Sequence, residues 1–158
     1  MTKTNAMRLL DKEKIEYRTA EYEYDESDLS GESAAQKLGL SCSGVYKTLV
    51  TRGDKTGINV FCIPVDCEID LKKAAEETGN KSVEMIHVKE LLPLTGYIRG
   101  GCSPIGMKKK YPVFIEEGIL LLDEVSISAG QRGVQIIIDA KKLVGFLKAK
   151  TAGIIKEK

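Results

Sequence analysis

The sequence has a single histidine, His87, and its four cysteines (Cys42, Cys62, Cys67 and Cys102) contain no C-x-x-C pair. Both shortages argue against a zinc site, and the spacing is not that of a disulfide scaffold. Reduced thiols are the expectation. No apolar run, Gly118–Leu122 included, approaches the roughly 20 residues needed to cross a bilayer. Residues 1–14 mix apolar and charged side chains, unlike the core of a signal peptide, so a cytoplasmic location is expected. Charge excess is nearly missing as well: the net charge is +1, and any nucleic-acid contact must come from a local patch. The chain shows no internal repeat, P-loop, dinucleotide fingerprint or nucleophile elbow.

What remains is an ordinary globular composition, 42% hydrophobic and 30% charged over 158 residues, which fits one domain spanning residues 1–158. Thr4 or Asn5 caps a first helix, Ser30 a second that ends at Gly39, and Asp70 a third that ends at Gly79. Asp139 caps a last helix running to Lys150. Residues 15–24 read as a strand entering a loop, and 45–51 with 58–65 as a hairpin turning at Gly53–Gly57. Further strands are expected at 83–87, 112–116, 119–122, 125–128 and 134–138, with a short helix at 88–94 interrupted by Pro93. Helix, strand, helix, many strands, helix suits an α/β (α+β) domain with a mixed sheet and peripheral helices.

Three stretches carry the candidate chemistry. Gly96–Gly106 (GYIRGGCSPIG) holds four glycines and Pro104, a composition that lets backbone N–H groups face one concavity, as a carbonyl or phosphate requires. Val45–Leu49 (VYKTL) puts Lys47 on a strand among aliphatic neighbours, where a lysine either snorkels or meets an anion. Ser128–Gly133 (SAGQRG) is a second glycine-rich turn, carrying Arg132. Cys102 lies in the first loop but has no neighbouring base, and His87 reads as structural. Two lysine patches, Lys108–Lys110 and the group from Lys141 to Lys158, are either solvated faces or local nucleic-acid contacts.

These three segments, in this order and with Tyr22–Asp25 and Ile69–Lys73 in step, resemble the YbaK/EbsC family over about residues 5 to 155. The resemblance implies a bacterial trans-editing aminoacyl-tRNA deacylase, of the branch acting on Cys-tRNA(Pro), with a barrel-like mixed sheet and no cofactor or metal. It matches Lys47 to the family's essential lysine and Gly101 to the Gly-x-x-Pro element closed by Pro104. It places Tyr22, Thr48, Gly100, Ser103, Ser128, Arg132 and Gln135 in the substrate pocket. Gln135 stands where some relatives carry an acid, and Cys102 where many carry an aliphatic residue. The implied partners are the acceptor end of mischarged tRNA and prolyl-tRNA synthetase. The implied reaction is attack by the substrate's own cysteine thiol on its ester. Lys47 then binds the terminal phosphate or ribose, or polarises the ester. A water-based editing hydrolase for another mischarged tRNA such as Ala-tRNA(Pro), and a non-catalytic aminoacyl-tRNA or synthetase-binding module, stand as the alternatives.

Overall fold

The computed structural model describes residues 2–157, so Lys158 of the second lysine group lies outside the described residues. Helices begin where a side-chain oxygen can accept the first free N–H groups. Thr4 caps α1 (Asn5–Lys12), Ser30 caps α2 (Gly31–Leu38) and Asp70 caps α3 (Leu71–Thr78). Gly39 and Gly79 close α2 and α3 in the left-handed region, where a side chain would be strained.

The strands form two sheets. The smaller is antiparallel, in the order β1 (Tyr17–Glu21), β7 (Val134–Asp139), β6 (Glu124–Ser128). The larger is mixed, in the order β4 (Val83–Met85), β2 (Tyr46–Gly53), β3 (Gly57–Pro64), β5 (Val113–Glu116), β8 (Lys150–Ala152). The expected hairpin is present and pairs Lys47 with Ile63 and Thr48 with Cys62. A parallel bridge between Val45 and Ser126 joins the two sheets, and among the described residues no further pairing closes them into a barrel. The main core lies beside this junction, where Met7 and Leu10 of α1 and Leu143 of α5 (Ala140–Leu147) pack with Ile127, Ile136 and Ile115. A second core, with Phe61 stacked on Phe114, is closed by Ala74 and Ala75 of α3.

Four local expectations give way to tertiary context. Residues 119–122 form no strand: Glu117–Leu121 is a 3-10 turn in which Ile119 is buried and Leu121 is 91% exposed. The last helix stops at Leu147 because Lys148 takes a left-handed φ of 52°, and the chain then pairs as β8 in parallel with β5. The strand at 83–87 ends at Met85, because His87 becomes the N-cap of α4 (Val88–Thr95) and its N–H donates to Glu90 at 3.0 Å. Pro93 does not end that helix, which continues to Thr95, whose hydroxyl donates to the Leu91 carbonyl at 2.7 Å.

Candidate active site

The parallel bridge decides where the candidate chemistry meets. Two residues beyond Val45 and Ser126 stand Lys47 and Ser128, and Ser128 pairs in turn with Gln135. A row of polar side chains therefore crosses the sheet junction from β2 to β7. Over it opens a cavity of about 430 Å³, lined from this side by Val45–Leu49, Ser128 and Gln135. The segment Ser27–Gly31 with Tyr22 makes a second wall, and Arg99, Gly100 and Cys102 a third.

Lys47 is half-buried, and its Nζ donates to the Val65 carbonyl at 3.3 Å. It forms no ion pair among the described residues, so its other ammonium N–H groups stay open to a ligand. Gln135 is buried, and its Oε1 accepts the Ser126 hydroxyl at 2.8 Å. Among the described residues the amide nitrogen of Gln135 donates to no protein group and no buried side-chain polar atom is left unpaired, so this nitrogen is reached by solvent. The hydroxyl of Ser128 accepts the Gly130 N–H at 3.2 Å, which shapes the turn after β6. Burial holds the Tyr22 phenol above its ordinary range, so it remains a neutral donor.

The two glycine-rich segments pack on each other. A Cβ at Gly101 would meet the Arg132 backbone nitrogen at 3.1 Å and the Gln131 carbonyl carbon at 3.3 Å, so a larger residue would push the two backbones apart by a few tenths of an ångström. Arg132 donates from Nε to the Arg99 carbonyl at 2.8 Å, tying the turn to the loop. Gly100, at φ +85°, lets the loop pass against Leu29 of the second wall. Gly101, Ser103, Pro104 and Arg132 themselves do not line the cavity. Ser103 is fully buried and its hydroxyl accepts the Ile105 N–H at 3.2 Å. The Gly101 N–H is engaged by the Ile98 carbonyl at 3.0 Å, so it is not free to meet an incoming oxygen. These four residues build and brace the loop.

Cys102 faces the cavity, but burial pushes its thiol up to about 12, only partly offset by a hydrogen bond with Thr95. A thiol so placed is protonated near neutral pH and is a poor nucleophile. His87 caps α4 and is absent from the lining. Among the described residues no cluster of ligating side chains could hold a metal ion. The arrangement can bind and orient a polar ligand and donate hydrogen bonds to it, while the one thiol on its lining is held protonated.

Sequence reasoning missed the wall from Ser27 to Gly31. Its signal was present as two Asp-x-Ser spacings: Asp25 accepts the Ser27 N–H at 2.9 Å and Asp28 accepts that of Ser30 at 3.1 Å. These turns order a segment that otherwise reads as plain loop.

Residues 27–146 match the family model of the aminoacyl-tRNA editing domain. A protein of Enterococcus faecalis, provisionally named Cys-tRNA(Pro)/Cys-tRNA(Cys) deacylase EbsC, is 46% identical over 96% of this chain and 93% of its own length. A proline–tRNA ligase of Shouchella clausii is 24% identical over 67% of this chain, which corresponds to 18% of the ligase. A crystal structure described provisionally as a trans-editing enzyme for prolyl-tRNA synthetase superposes with a TM-score of 0.83 at 24% identity, covering 99% of this chain and 100% of its own. That last likeness concerns the fold alone.

Proposed function

The chain belongs to the aminoacyl-tRNA editing domain family, and from that premise we propose that it is a trans-acting deacylase that removes cysteine from Cys-tRNA(Pro), and from Cys-tRNA(Cys). The observation that carries the mechanism is a cavity with a ligand-ready lysine but no competent nucleophile: Cys102 is held protonated and no base adjoins it. The substrate's own thiol fills that gap.

In this reaction the substrate thiol loses its proton to solvent and its sulfur attacks the ester carbonyl carbon. The carbonyl electron pair moves onto oxygen, then re-forms the C=O as the bond to the ribose oxygen breaks. The ribose oxygen takes a proton, and cysteine leaves as a four-membered thiolactone. The protein's share is orientation and electrostatics. Lys47 supplies positive charge where the acceptor end of the tRNA enters, and Arg99 stands on the same lining. Gly101 lets the loop seat against the Gln131–Arg132 backbone, which fixes the third wall beside the reacting ester.

The net charge of +1 leaves little long-range attraction for tRNA, so the protein works with prolyl-tRNA synthetase, which selects the tRNA body. The likeness to a segment of proline–tRNA ligase supports this reading. The test is a deacylation panel of Cys-tRNA(Pro), Cys-tRNA(Cys), Ala-tRNA(Pro) and Ser-tRNA, with and without the synthetase. The cysteinyl substrates should turn over fastest and Ser-tRNA much more slowly, since a hydroxyl is a weak nucleophile near neutral pH. Equal rates on Ala-tRNA(Pro) would mean that water attacks. No turnover with any substrate would make this a binding module.

A further inference from the structure

We propose that Asp28 recognises the α-ammonium group of the aminoacyl substrate and so determines that the protein acts on free aminoacyl esters rather than N-blocked ones. The inference deepens the deacylase reading and rests on it.

An aminoacyl ester is bipolar, with a cationic ammonium next to the reacting carbonyl and an anionic phosphate beyond the ribose. The cavity is bipolar in the matching sense. Lys47 and Arg99 are the cations of its lining, and Asp28 is the sole carboxylate there among the described residues. Opposite charges that line one cavity would ordinarily pair, yet Asp28 and Lys47 form no ion pair. Each stays available to the opposite pole of a ligand.

Gln135 is the weaker acceptor for the ammonium. Its carbonyl oxygen is neutral and already accepts the Ser126 hydroxyl at 2.8 Å, and its amide nitrogen is a donor. An ammonium there would meet N–H against N–H. A charged acceptor stands on another wall, where Asp28 lines the cavity. Its Oδ1 accepts the Ser30 N–H at 3.1 Å, which orients the carboxylate on the cavity's second wall. Hydrogen bonding from the Ser30 side chain, and next from its N–H, holds the carboxyl below the usual range, so it is ionised near neutral pH. Lys37, the nearby cation, is directed elsewhere, donating to the Glu23 carbonyl at 2.7 Å.

The test compares Cys-tRNA(Pro) with N-acetyl-Cys-tRNA(Pro), which keeps the thiol and ester but lacks the ammonium, on wild type, Asp28→Asn and Asp28→Glu. Wild type should prefer the free-amino substrate by about tenfold or more in kcat/KM. Asp28→Asn, which retains an acceptor for the Ser30 N–H, should lose most of that preference by slowing on the free-amino substrate alone. Asp28→Glu should restore part of it. If Asp28→Asn keeps the wild-type preference while deacylating normally, the Asp28 proposal falls and the deacylase reading stands. If all three proteins fold, by thermal melting, and none deacylates either substrate, both readings fall together.

Discussion

Two walls of the cavity differ in how they are held. The strand wall, Val45–Leu49 with Ser128 and Gln135, is fixed by ladder pairing on both sides of the sheet junction, so each side chain's height and direction follow from register. The loop wall, Ser27–Gly31, is held by two Asp-centred turns, an isolated bridge between Asp25 and Asp28 and the contact of Leu29 with Gly100. The strand wall carries the lysine and the amide donor, whereas the loop wall carries the carboxylate. A rigid sheet junction presents the parts that must be aimed at the reacting ester, and a local, weakly tied segment is placed to sense the free end of the amino acid.

The comparison breaks hardest at Lys47. Lys47→Ala should cut single-turnover deacylation by about 100-fold or more while leaving the thermal midpoint nearly unchanged, because the ammonium serves a ligand and gives up only a 3.3 Å bond to the Val65 carbonyl. Full activity would remove Lys47 from the site, and unfolding would give it a structural role.

Next comes the joint between the loop wall and the glycine loop. Gly100→Ala forces a side chain into φ +85° and against Leu29, which should cost about 2 kcal/mol of stability in urea unfolding. Its effect on activity should be larger for the free-amino substrate than for the N-acetylated one, because only the former uses the loop wall. A uniform loss on both would show that the two walls move as one.

A smaller effect is expected within the strand wall. Ser126→Ala removes the donor to the Gln135 carbonyl oxygen, which should cost about 1 kcal/mol. Its rate effect should be alike on both substrates. A selective loss on the free-amino substrate would place ammonium recognition on Gln135 rather than on the loop wall.

The smallest is at Cys102. Cys102→Ser should retain most activity on Cys-tRNA, and a dead variant together with a trapped acyl-enzyme on wild type would replace the substrate thiol with this one. The thiol also has a pH signature. Burial raises it from 9.0 to about 12, so the stability it lends is present below 9.0 and is lost as pH rises toward 12. Cys62, fully buried and likewise pushed up to about 12, adds to the same fall. Urea unfolding on either side of pH 9.0 should show the decline, flattened in part by Cys102→Ser.

What the sequence determined by itself is what near neighbours decide. Thr4, Ser30, Asp70 and Asp139 cap helices because an oxygen lies three residues from a free N–H, and Gly39 and Gly79 end them because only glycine turns left without strain. The hairpin at Gly53–Gly57 and the position of Lys47 on its strand follow from alternation over a few residues. The tertiary structure alone decided which edges meet. Nothing near Val45 says that it will bridge to Ser126, yet that bridge aligns Lys47 with Ser128 and Gln135. Nothing near Gly101 says that its bare backbone will press on Arg132, or that its own N–H will turn inward to Ile98. The loss of the expected strand at 119–122 and the gain of β8 have the same cause. Periodicity records that a face is apolar, but which partner covers it is settled by burial summed over segments far apart in the chain.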